Sequence, residues 1–138
     1  MKPRREIAMP SRVWSHLCDY ATIDAMGKPT IIGEFDRIFS QSVPAKHPLL
    51  FVISKWSGAE NETFNEQVKI VSPNKSQIAA GPLNAMRITK ATEGIGNAIS
   101  IGMFMMVDFP KFGEYSIEIL IDNIPVHILP LFVSEPPK

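Results

Sequence analysis

The stretch EYSIEILID at residues 114–122 constrains the chain most, because its apolar and polar residues alternate without interruption. Tyr115, Ile117, Ile119 and Ile121 fall on one side, Ser116 and Glu118 on the other, which is the period of a half-buried β-strand. No long stretch repeats apolar residues at the three-and-four spacing of an amphipathic helix. Twelve prolines and eight glycines, spread over 138 residues, divide the remaining apolar sequence into short runs. Strands joined by turns are what such punctuation permits.

Along the chain the same logic predicts strands over 13–23, 30–39, 49–56, 63–71, 99–109, 114–122 and 126–133. The turn between the first two is DAMGKP, where Gly27 supplies a positive φ and Pro29 a fixed one. Pro130 marks an edge or bulge position in the last strand. Residues 77–98 suggest one or two short strands and then a loop, KATEGIGNA. The fold expected is all-β, an antiparallel β-sandwich of seven to eight strands, immunoglobulin-like. Residues 1–12 are expected to be a mobile N-terminal arm and 13–138 a single β-sandwich domain. FPKFGEY places Tyr115 just inside a strand after a Gly/Pro corner. That is the position of a tyrosine corner, in which the phenol bonds back to nearby backbone, or of a plain core tyrosine.

Charge and cysteine content narrow the function classes. Fourteen basic and fourteen acidic residues cancel, which argues against a nucleic-acid partner, since that binding rests on many phosphate contacts. No run reaches the roughly 18 apolar residues of a spanning helix. The nearest, ISIGMFMMVDF, is interrupted by Gly102 and Asp108, so no membrane partner is expected. The basic start MKPRREIAMPSRVWSHL lacks the apolar core of a signal peptide. Cys18 is the one cysteine, so an intrachain disulfide is impossible and a cytoplasmic location is expected.

Catalytic patterns are missing. No GxSxG elbow occurs, and Cys18 sits within an apolar strand, where a thiol is inert. His16, His47 and His127 are isolated from one another in the sequence. Residues 93–96, EGIG, lack the GK[ST] sequence and the helix that a phosphate loop needs. His16 and Asp19 are three apart, so on a strand they point to opposite faces and cannot share an ion. Asp24, Asp108 and Asp122 lie outside any DxDxDG loop. No cofactor, metal or catalytic residue is assigned.

One strand departs from the one-sided pattern. In MFMMV, Met103 and Met105 alternate with Phe104 and Met106, so both faces are apolar, and Leu120 breaks the polar face of the 114–122 strand. The outer surface of one sheet is therefore expected to be covered, by the 77–98 loop or by a partner, with Phe104, Met106 and Leu120 as the candidate interface. The first two strands raise a second question. Arg37 falls between Phe35 and Phe39 on the apolar side, and is expected near the strand's end, where its head reaches water or pairs with a carboxylate such as Asp19.

LCDYA, GKPTIIGEFDRIF, AKHPLLFV, FPKFGEYSIEILID and PLFV, in this order over residues 17–133, resemble a family of small bacterial proteins of unknown function. Its pattern runs CDYA…GK…IIGxFDxI…HPxFxV…FPxxGxYxFxIxxD…PLxV. The resemblance implies a β-sandwich and a bacterial, cytoplasmic protein, and it assigns no catalytic residue, cofactor or partner. The function expected is non-enzymatic, through protein–protein contact or self-association, the partner being a second copy or another protein. The alternative is a small-ligand or carbohydrate-binding module that stacks Trp14 or Trp56 on its ligand and uses Asn61 and Asn74.

Overall fold

The computed structural model describes residues 10–89 and 95–138. Residues 1–9 of the expected arm, and Glu93 and Gly94 of the EGIG loop, lie outside the described residues. Strands run β1 Ser11–Ile23, β2 Pro29–Glu34, β3 Arg37–Phe39, β4 Ala45–Ala59, β5 Thr63–Val71, β6 Gln77–Ala80, β7 Asn84–Arg87, β8 Ile95–Phe109, β9 Gly113–Ile121 and β10 Ile124–Ser134. No helix occurs among the described residues. Ten strands replace the seven to eight expected, and Ser11 and Arg12 belong to β1 rather than to an arm.

Two sheets face each other. One has four strands in the order β2-β1-β4-β8; the other has six, β3-β10-β9-β5-β6, with β7 also paired to β5. The core between them is built from alternate residues. Phe64, Val68 and Ile70 of β5, Tyr115, Ile117, Ile119 and Ile121 of β9, and Leu50, Val52 and Trp56 of β4 are all buried there. Burial of this apolar surface is the main force holding the sheets together. Pairing is antiparallel except for β3, which lies parallel to β10 through Phe132↔Arg37 and Ser134↔Phe39.

That parallel pair arises because the single strand expected over 30–39 is two strands in different sheets. β2 pairs with β1 as far as Cys18↔Glu34. The chain then crosses at Phe35 and Asp36: the Phe35 amide donates to the Leu17 carbonyl in one sheet, and the Phe132 amide donates to the Asp36 carbonyl in the other. Gly33 permits the crossing. Its φ is +68°, and the Asp19 carboxylate occupies the place where a Cβ would stand. Only glycine combines that backbone with that approach.

Alternation also slips within β8. Gly102 and Phe104 face the core, but so do Val107 and Phe109, and Met106 between them has φ +54°. β4 slips with it, because Ala45 is buried at one end and Leu50 and Val52 at the other, while the register stays constant from Ala45↔Phe109 to Leu50↔Phe104. Both strands therefore change phase together at Pro48 and Met106. Turn chemistry closes the last hairpin: Asp122 and Asn123 both have positive φ, 48° and 69°, between the paired Ile121 and Ile124. Two successive left-handed residues make the tight hairpin turn whose twist matches the flanking strands. On β10, β3 reaches only Phe132–Ser134, so Pro130, which has no N–H to offer, lies beyond its end.

Candidate functional site

The phase of β8 decides which side chains reach the surface. Phe104 is buried in the inter-sheet core, 5% exposed, whereas Met103, Met105 and Met106 are 47%, 64% and 54% exposed. The strand does have two apolar faces, but Phe104 is on the inner one, with Gly81 beneath its ring. Leu120 is buried at 4% on β9 in the other sheet, flanked in register by Gln67 and Pro125. Phe104, Met106 and Leu120 thus stand on three different surfaces and form no common interface. Residues 77–87 do not cover the outer face either: they form β6 and β7 beside β5, and Ile78 and Ala79 pack into the core.

The outer face of the four-stranded sheet carries a second apolar cluster that sequence reading did not assemble. Cys18, Ala21, Phe51 and Ile53 are buried there, with Trp14, Ile31, Leu49, Ile99 and Ile101 packed partly against them. The register Leu49↔Met105, Phe51↔Met103, Ile53↔Ile101 and Lys55↔Ile99 places β4 and β8 side chains in one continuous layer. Tyr20 closes on Phe51 edge-to-face at 5.2 Å and, with Ile32 beside it in register, is exposed. Around this layer Lys46 pairs with Asp108 at 2.9 Å and His16 Nδ1 lies 2.6 Å from Glu34 Oε2, while Lys55 ends the β4 row beside Trp14 and Ile99. The signal for this face was present in LLFVISKW, whose outward Leu49, Phe51 and Ile53 are all apolar.

Asp19 and Arg37 do not meet. Asp19 is set against Gly33 in the four-stranded sheet. Arg37, in the other sheet, donates to Ser134 Oγ at 3.0 Å and lies over the Phe132 ring at 4.9 Å. Ile38, not Arg37, points into the core, because the chain changed sheets at Phe35 and Asp36. Tyr115 is fully buried; its hydroxyl donates to the Lys111 carbonyl at 2.7 Å and accepts from the Lys111 amide at 3.1 Å. Burial raises the phenol pKa, and the bond to Lys111 opposes that rise.

The features that suggested stacked ligands are dispersed. Trp56 is completely buried and donates to Ser100 Oγ at 2.9 Å, which leaves Trp14, tilted against His16 at 5.1 Å. Asn61 and Asn74 lie beyond opposite ends of β5, a nine-residue strand and therefore about 30 Å apart. Cys18 is buried and its thiol pKa is raised by desolvation first, a protonated and unreactive state. Asp24 accepts the Met26 and Lys28 amides, and Asp122 the Asn65 amide. No group of three metal-ligating side chains occurs among the described residues. A cleft of about 400 Å³ at the crossing holds Glu34 and Asp36, and the hydroxyl of Ser15, which lines it, is bonded to Ser54 at 2.8 Å.

One residue escaped the sequence reading although alternation marks it. Phe64, Glu66, Val68 and Ile70 are successive inward positions of β5, and Glu66 is completely buried among them. Oε1 accepts from Asn84 Nδ2 at 2.9 Å, and Oε2 is buried without a partner. Desolvation raises its pKa, against smaller opposing effects of Asn84 and Ser100.

Geometry therefore defines a two-sheet β-sandwich whose distinctive surface is an apolar sheet face with a charged margin. The model of the family of unknown function DUF6941 matches residues 13–134, and the chain belongs to that family. No curated protein matches the sequence. Among the described residues no helix is long and apolar enough to cross a membrane.

Proposed function

We propose that the protein acts without catalysis, by binding a second copy of itself through the outer face of the β2-β1-β4-β8 sheet. The observation that carries this reading is the pattern on that face: Tyr20, Ile32, Met103 and Met105 are exposed over a layer of buried Phe51 and Ile53, with the Lys46–Asp108 and His16–Glu34 contacts toward the edge and Lys55 at one end. An antiparallel sheet normally turns polar side chains to water on its outer face, whereas an apolar centre inside a polar rim is how interfaces are built. Four strands about 4.8 Å apart, each roughly ten residues long, give a flat area on the order of 600 Å². That approaches the roughly 800 Å² each partner contributes to a standard interface. Zero net charge leaves no overall repulsion between copies, and exposed methionines adapt to an opposing surface. A cytoplasmic location fits the single buried cysteine.

Size-exclusion chromatography with light scattering tests the reading. The wild-type chain should run as a concentration-dependent dimer, and Met105→Lys combined with Ile101→Lys should run as a folded monomer. A wild type that stays monomeric at every concentration, or a double variant that still dimerises, refutes it.

A further inference from the structure

Glu66 is the only acidic or basic side chain buried among the described residues, and its surroundings assign it a task. An ionised carboxylate is tolerated in a protein interior only when a cation or a full set of donors faces it. Glu66 has one donor, Asn84 Nδ2, and an unpartnered Oε2. Ser100 is beside it and accepts from Trp56 Nε1 at 2.9 Å, which leaves its hydroxyl proton as the one further donor near the carboxyl; two neutral donors and no cation fall short of what an ionised carboxylate needs. No charged residue of the elements packed around it points inward. Lys69 on β5, Arg87 on β7, Lys55 on β4, Glu118 on β9 and Asp108 on β8 all occupy outward positions of their strands. Asp122, near the paired Ile121, is engaged by the Asn65 amide. A neutral acid is the form this environment accepts.

The donor is as informative as the acid. Asn84 sits on β7, which among the described residues pairs with β5 alone, through Glu66↔Asn84 and its neighbours. The same Nδ2 lies 3.4 Å from the Ile101 carbonyl on β8, so one amide reaches from the edge of one sheet to the edge of the other. β6 and β7 are four residues each. Beyond their ladders to β5, the segment is tied by Gln67 Nε2 to the Gly81 carbonyl at 2.9 Å and by the Gly81 amide to the Val68 carbonyl at 2.8 Å.

We propose that Glu66 is carried in the core as a neutral acid and, with Asn84, forms a pH-sensitive latch that holds the β6–β7 segment over the open side between β5 and β8. Because burial raises the folded-state value, the unfolded chain ionises first as pH rises, near the ordinary glutamate value of about 4.3. From there up to the folded value the folding equilibrium weakens tenfold per pH unit. Above the folded value the carboxylate ionises in place and needs water. Two four-residue strands at a sheet edge, held by the group that has just changed charge, are the part that opens to supply it.

Hydrogen exchange on the full chain across a pH series, corrected for intrinsic rates, tests this together with a carboxyl carbon NMR titration of Glu66. Wild type should lose protection over residues 77–88 as pH rises while β4 and β9 keep theirs, and Glu66→Gln should show no such pH dependence. Asn84→Ala should leave 77–88 unprotected at every pH. A Glu66 carboxyl that titrates at or below the ordinary value overturns the proposal, and the titration needs no variant. Parallel exchange profiles for wild type and Glu66→Gln overturn it as well, as does protection lost evenly over both sheets.

Discussion

Truncating Phe104 to alanine separates the inner and outer faces of β8 by free energy. The ring is 5% exposed and packed in the inter-sheet core, with Gly81 3.3 Å and Gly102 3.9 Å from its edge when given a Cβ. Removing a buried phenyl costs between about 3 and 5 kcal/mol, through lost transfer energy and the cavity left behind. The lower figure applies, because two glycines and the short β6 strand leave room for local collapse. For a domain of this size about 3 kcal/mol lowers the melting temperature by roughly 10 °C. Met105, 64% exposed on the same strand, should change monomer stability by less than about 0.5 kcal/mol on the same substitution. Urea unfolding at low protein concentration, where association contributes nothing, measures both. A loss below about 1 kcal/mol for Phe104→Ala, or a larger loss for Met105→Ala, would refute the phase assigned to β8 and the surface that follows from it.

Tyr115→Phe removes the two hydrogen bonds to Lys111 while keeping the buried ring. Lys111 is exposed and its backbone can turn to water, so the loss should be about 1–2 kcal/mol in a denaturant midpoint; no measurable loss would leave the phenol without a structural role. His47, packed against Phe35 at 5.7 Å, has its pKa lowered by desolvation, with Asp19 and the Leu49 backbone opposing. The folded state therefore binds that proton less readily, so stability should decline as pH falls below about 6.5. His47→Gln should flatten this acid limb of a melting-temperature profile, and an unchanged limb would assign it to other groups.

Much of the architecture is written in period-two pattern. β5, β9 and β10 emerge from alternation close to their observed ends, since each keeps a buried inner face, although on β9 the outward Leu120 is buried as well. The 30–39 run reads as one strand because nothing in IIGEFDRIF shows that its two halves bond to different partners. Gly33 is the local sign, and only the approach of Asp19 explains it. The sheet change also undoes the Asp19–Arg37 pairing, which assumed a shared face. Phe104 and Met106 were placed by extending strict alternation through Met106, a non-glycine residue with φ +54°; side-chain type alone does not reveal such a slip. β6 and β7, at four residues each, are too short to display a period. Glu66, by contrast, was legible as an acid at an inward position of β5.

The crossing at Phe35 and Asp36 has a consequence for the order in which the chain can assemble. β1 and β2 are neighbours in sequence and can form a hairpin early, but β1 also pairs with β4, and β4 is completed by β8, from Ile95 to Phe109. Among the described residues β3 pairs with β10 alone, almost a hundred residues later, through Phe132↔Arg37. During synthesis the first half of the molecule therefore holds apolar strands whose partners have not yet been made. Contacts this distant in sequence slow folding, and LLFVISKW, apolar on both faces, stays without its β8 neighbour until residues 95–109 have been made.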